Sequence, residues 1–335
     1  MSQNSQLSRY GSISRNLPEL SPSGRAFFVG DSDDTTYGAA DLANVYGPDN
    51  KGVVRVYTTV QSAVNACDSR GDVVYVAPYH SEGLSRVDCW NVAGVQVLGM
   101  GKGDARPAIV YNDSGASVNL GASGVRVSNL MFMASVDSIG IGVDMDTGFF
   151  GQRFDNNIFN TDAATDNFKT LLRVGSKESI IEDNQFLAQD TAGAGSAIKF
   201  RFGDPDNTII RNNYIYGQYD STADTVTVSP APIAIDTTDT GDTNLSGLVI
   251  QNNTVINTDT ASSLMMRIDG GTLFIRAMAR DNYFASYDSA TADSTKFAIG
   301  IAANTGIRMI NNYVGSADTD PYGEVRVGDS VTALA

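Results

Sequence analysis

Acidic and basic side chains recur at matching places in a set of short runs along this chain. Asp144 and Asp146 stand in "IGVDMD" (141–146), Arg173 in "TLLRVG" (170–175), and Lys199 and Arg201 in "AIKFRF" (197–202). Asp236 stands in "PIAID" (232–236), and Arg267 and Asp269 in "LMMRID" (264–269). Two carboxylates about 5–10 Å apart would suit acid–base hydrolysis of a glycosidic bond. Carboxylates around calcium, beside a basic residue, would suit proton abstraction. The mixture of signs singles out neither. Neighbouring runs would set Asp146 beside Arg173 and Arg267 beside Asp236, the geometry of ladder salt bridges. Asp144, Asp146, Arg173, Arg201, Asp236 and Arg267 are therefore read as one contact face, a groove or a subunit contact. The loops "DSDD" (31–34) and "DTTDTGD" (236–242) offer oxygens to calcium but complete no loop signature. No catalytic residue, metal site or cofactor is assigned. His80, the single histidine, has only Glu82 nearby and is expected to hydrogen-bond structurally.

Those runs need something to position them, and the composition narrows what it is. The chain has 335 residues, 42% hydrophobic, with 33 glycines and a formal net charge of −15. An acidic chain lacks the basic surface that nucleic acid requires. No apolar run of about 18 residues could span a membrane. The opening "MSQNSQLSRYGSISRN" has no apolar core of a secretory leader, so synthesis and assembly in a cytoplasm are expected. Cys67 and Cys89 are read as two buried, inert thiols rather than a disulfide framework.

A repeat supplies the scaffold. "DNNIFN" (155–160) recurs as "EDNQFL", "RNNYIY", "QNNTVI", "RDNYFA" and "INNYVG". The ladder of corner positions runs Gly99, Asn129, Asn157, Asn184, Asn213, Asn253, Asn282 and Asn312, at intervals of 30, 28, 27, 29, 40, 29 and 30. The long interval holds an inserted loop at 219–232. Apolar residues alternate with period 2, the strand period. Units of about 28 residues with two or three short strands leave no room for a crossover helix. They describe coils of a parallel β-helix, an all-β solenoid of eight or nine coils over residues 71–328. The asparagines are expected to take the left-handed corner conformation and to stack their amides inward. Ile158, Phe186, Tyr214, Tyr283 and Tyr313 beside them are expected in core stacks.

Residues 53–335 form a single β-helix domain in this reading, and residues 1–52 an arm and acidic loop. Within the latter, "RAFFVGDS" could make one strand. Arg9, Arg15 and Arg25 make the arm locally basic and suit attachment to an acidic surface. Thr58 or Thr59 can N-cap a short helix near 59–68 with Val60, Ala63, Val64 and Cys67 as its apolar stripe. That helix would lid the first coil, with Trp90 beneath it. At the far end, a partner or the final "VTALA" would cover the last coil.

The order "VYTTVQSAVNAC…GDVVYVAPYHSEGLS…VAGVQVLGMGKGDARPAIVY…GVRVSNLMF" resembles phage virion structural proteins with a pectate-lyase-like right-handed β-helix. The resemblance covers roughly residues 53–135, with the generic coil pattern running on to about 328. It implies a homotrimer in a virion, in contact with other virion proteins such as the major capsid protein. Enzymes on this fold break polysaccharides. The expected function is nonetheless non-enzymatic, a capsid decoration or cement protein. The alternative is a tail-associated spike that binds or cleaves host surface polysaccharide, with a surface glycan as its ligand.

Overall fold

The computed structural model describes residues 24–31, 38–48, 52–188, 193–200, 205–219, 231–236, 244–258, 264–269, 273–286, 298–301, 307–316 and 323–325. The chain winds as a right-handed parallel β-solenoid. Each coil contributes one strand to each of three sheets, of eleven, ten and eight strands, which we call the first, second and third. The coil beginning at Arg153 is representative: Arg153–Asp155, then Ile158–Thr161, then Phe168–Val174. Equivalent strands pair in parallel, as Phe154↔Ile181↔Ile210 do in the first sheet. In the third, Val143↔Leu172↔Ile198 do the same. A further two-stranded sheet joins Asn244–Ser246 to Leu273–Ile275.

Alternation decides which residues stack inward. In the second sheet Phe132, Phe159, Phe186, Ile215, Val255 and Phe284 share one buried column. Phe159 stacks on Phe132 at 5.1 Å and on Phe186 at 5.4 Å between centroids. The inward position is thus the second residue after each ladder asparagine. Of the five expected core residues only Phe186 holds it. Ile158, Tyr214, Tyr283 and Tyr313 are first residues after the corner, so the pleat turns them outward. Tyr214 and Tyr313 are exposed.

The asparagine ladder exists, but two roles are divided between two residues. Asn157, Asn184, Asn213, Asn253, Asn282 and Asn312 are all buried. From Asn157 to Asn282 each Nδ2 donates along the stack and back to the coil below, and Asn312 Nδ2 donates back to the Ala279 carbonyl at 2.8 Å; Asn213 Nδ2 reaches Asn253 Oδ1 at 3.0 Å and the Ile181 carbonyl at 3.0 Å. Asn213 Oδ1 accepts from the Asn184 backbone N–H and side chain at 3.1 and 2.9 Å. The left-handed backbone belongs to the residue before each: Asn156, Asp183, Asn212, Asn252, Asp281 and Asn311, with φ between +48° and +57°. Asn129, expected in the ladder, is one of these left-handed corners (φ +60°). The ladder place in its coil is taken by Leu130, whose N–H donates to Asn157 Oδ1 at 2.9 Å. Gly99 is not left-handed. A side chain there would lie 2.0 Å from the Asn129 carbonyl oxygen, so close approach of the coils demands the glycine. Asn129 Nδ2 donates to the Gly99 carbonyl at 2.7 Å.

The lid helix is Val60–Ala66. Thr59 caps it, its hydroxyl accepting from Ser62 N–H at 3.2 Å. Val60, Ala63, Val64, Cys67 and Trp90 are buried in one core cluster. Residues ahead of it also join the solenoid. Ala26–Val29 pairs with Val73–Val76 inside the first sheet. The stretch read as an acidic loop contains a second helix, Ala39–Tyr46, because Leu42 and Tyr46 can pack on the outward Phe28 and Tyr75. The Phe28 and Tyr46 rings lie 3.6 Å apart. At the other end, Gly323–Val325 turns back antiparallel along Asn312–Ser316 and covers the second sheet's final edge. The "VTALA" segment lies outside the described residues.

Candidate functional site

A concentrated group of charges among the described residues lies on the outer face of the first sheet, at positions the sequence reading passed over. The residue just before each left-handed corner points outward there, in the register Ser128↔Asp155↔Glu182↔Arg211↔Gln251↔Arg280. The neighbouring outward column adds Arg126 and Arg153. Asp155 and Glu182 are therefore adjacent carboxylates one strand spacing apart, and both are buried. Arg126 grips Asp155 with two nitrogens at 2.9 and 3.1 Å, and the Ser128 hydroxyl donates to Asp155 Oδ2 at 2.8 Å. Arg153 lies between the two acids, 3.2 Å from Asp155 and 2.5 Å from Glu182. Arg211 takes the other oxygen of Glu182 at 2.5 Å. Two carboxylates thus lie against three guanidiniums, Arg126, Arg153 and Arg211. They brace four successive coils against one another.

The expected contact face on the third sheet is only partly assembled. Asp144 and Arg173 are direct partners and form a two-pronged ion pair at 3.0 and 2.6 Å. Asp146 is not the partner. It lies just past the strand Ile139–Met145, and its carboxylate accepts from Thr147 N–H at 2.8 Å. Arg267 registers with Ala234, and Asp236 registers with Asp269. Lys199 follows Arg173 in the same column. Arg201 lies outside the described residues, as do Asp33 and Asp34 of the first acidic loop and residues 237–243 of the second. Among the described residues, no three acidic, cysteine or histidine side chains gather as metal ligands.

Arg25 is part of the lid. Its backbone N–H and guanidinium both donate to Asp72, at 2.8 Å and at 2.7–3.3 Å, and it also pairs with Asp68. Asp72 is fully buried. Burial alone would raise its carboxyl, but the Arg25 guanidinium and the backbone N–H groups of Arg25, Asp68 and Ser69 outweigh this and hold it below the ordinary range. Arg9 and Arg15 lie outside the described residues. His80 hydrogen-bonds beside the lid: Nε2 lies 3.1 Å from Glu82 Oε2, which also accepts the first N–H of the lid helix, Val60, at 2.8 Å. The thiols differ from expectation, since Cys67 is buried but Cys89 is exposed, and they are unpaired. Cys89 is outward because it alternates with the inward Asp88 in a three-residue strand.

Sheet topology and ladder together define a right-handed parallel β-helix of the pectate-lyase-like kind, with ion-paired outer columns. No protein-family model matches the chain, and no curated protein matches it in sequence. Among solved structures it is similar to a pectate lyase from Bacillus sp. N165 in complex with trigalacturonate: 14% identity, 91% of this chain and 89% of that one, TM-score 0.47. It is also similar to the pectin methylesterase of Aspergillus niger, at 13% identity over 91% and 92% with a TM-score of 0.38. A third likeness is to ORF18 of Geobacillus virus E2, at 13% identity, 78% of this chain, 59% of that chain and a TM-score of 0.35. Likenesses at this level say nothing about what the chain binds or does.

Proposed function

We propose that this chain is a non-enzymatic structural protein of a virus particle, exposed on the particle surface as a homotrimeric decoration or cement component. The observation that supports a structural role is the fate of the acids on the coil faces. Asp155, Glu182 and Asp144 are each gripped by one or more arginines. A general acid or a nucleophilic carboxylate needs an oxygen open to substrate. Arginine-bound carboxylates lock coil to coil instead. The virion setting rests on the sequence resemblance over residues 53–135.

The competing reading, a tail spike acting on surface polysaccharide, draws on the outward tyrosines of the second sheet. Copy number separates the two. Quantitative mass spectrometry of purified particles should find hundreds of copies for a shell component. A tail part would number about 18 or fewer. Release of sugar fragments from host surface polysaccharide by the purified protein would overturn the non-enzymatic reading.

A further inference from the structure

The two outward columns of the second sheet hold no charge across eight successive strands. They read Ala108 and Val110, Met131 and Met133, Ile158 and Asn160, Gln185 and Leu187, Tyr214 and Tyr216, Thr254 and Ile256, and Tyr283 and Ala285, with Tyr313 continuing the first column. A surface of ordinary composition would place about four charges over such a run. The other two sheets do carry them outward, as Asp155, Glu182 and Arg211 on the first and Asp144 and Arg173 on the third. Here Tyr214 and Tyr313 are 39% and 49% exposed, and the Tyr214 and Tyr216 rings lie parallel at 6.2 Å.

We infer that this face is where copies of the chain meet, packed around a three-fold axis. The inference rests on the assembling, structural reading above and names the surface that reading requires. Charge selects the occupant. A body of net charge −15 repels its own copies, and contact is least opposed where the surface is uncharged. Sugar recognition would need polar groups converging around the rings. The face offers Asn160, Gln185 and Thr254, each on a different strand, among aliphatic and methionine side chains.

The dimensions fit. Eight strands at about 4.8 Å and four residues at about 3.3 Å give a projected face of roughly 500 Å². Side chains standing off it raise the accessible area toward roughly 800 Å² per chain, shared between two neighbours, so three chains together would bury roughly 2,400 Å². Three faces about 13 Å wide, turned to a common axis, leave its centre about 4 Å from each sheet. A packed sheet supplies about 5 Å of side chain, enough to fill that space.

The test is the solution mass of the full chain by sedimentation at micromolar concentration. Leu187→Lys and Ile256→Lys place cations in the second column, and Ile209→Lys places one in an outward column of the first sheet as a control. All three point away from the core, and circular dichroism and melting report that the fold survives. The wild type and the control should sediment as three chains. The two face variants should sediment as one chain, with association weakened at least tenfold. Three-chain mass in folded Leu187→Lys and Ile256→Lys would overturn the inference while leaving the particle reading intact. So would a single-chain wild type whose binding to host polysaccharide is lost in Tyr214→Ala. Copy number on the particle is an independent readout, so the two readings fail separately.

Discussion

Each corner asks two things of adjacent residues, a left-handed backbone and a satisfied buried amide, and each can be removed alone. Asn213→Leu leaves the Asn184 N–H without its acceptor and the Ile181 carbonyl without its donor. It should cost roughly 1–3 kcal/mol in urea unfolding. Asn212 has φ +56° and is exposed. Asn212→Val should cost about 1–3 kcal/mol through backbone strain, while Asn212→Gly should change stability by far less. Equal effects of Val and Gly would mean that the corner conformation carries no weight. Asp72 gives a pH signature. Its folded pKa lies below the unfolded value of about 3.9, so its contribution is fully present above that value and is lost as pH falls through the lower folded value. Asp72→Asn should flatten the acid limb of a stability-versus-pH curve below about pH 4 and lower stability at neutral pH.

The lid is a small element held by several local devices at once: the Thr59 cap, the Glu82 carboxylate on Val60 N–H, and the Arg25–Asp72 pair. Removing the Thr59 hydroxyl with Thr59→Ala should destabilise the protein by about 1 kcal/mol. The two cysteines report on lid opening. Burial pushes the Cys67 thiol up to about 12, and its Sγ donates to the Ala63 carbonyl at 3.3 Å. Cys89 should react with a thiol reagent at neutral pH in the native protein, whereas Cys67 should react only as the lid unfolds. Two thiols labelled at equal rates without denaturant would show that the helix does not stay seated.

A solenoid contacts itself mainly between neighbouring coils, so its energetics should be close to a sum of nearest-neighbour terms. Asn213 and Asn253 share a hydrogen bond, and Asn157 and Asn282 lie several coils apart. Asn213→Leu combined with Asn253→Leu should therefore cost less than the sum of the two singles, by about 0.5 kcal/mol or more. Asn157→Leu with Asn282→Leu should add within about 0.5 kcal/mol. Equilibrium unfolding of the four singles and two doubles checks both. Strong coupling between the distant pair would point to one all-or-none core instead of stacked units.

Spacing alone carried the architecture. A 27–30-residue interval, period-2 alternation and a polar amide at each corner admit few folds, and the lid helix was legible from its cap and stripe because both are local signals. Three matters lay beyond that reach. The register between coils is fixed by stacking, and a slip of one residue turns a side chain to the other face. That is why Asn129 proved a left-handed corner with Leu130 in the ladder place, and why Tyr214 and Tyr313 face outward while Phe186 fills the core. Asp155, Glu182 and Arg211 each stand just before a corner, within the repeated motifs themselves, and Arg126 and Arg153 belong to the column two residues upstream. Their pairing became visible only once strands 27 to 29 residues apart lay side by side. Arg25, basic and near the N-terminus, looked like part of an attachment arm. Only the folded chain brings it onto the buried Asp72, 47 residues away, where burying a carboxylate requires a cation and donors at hand.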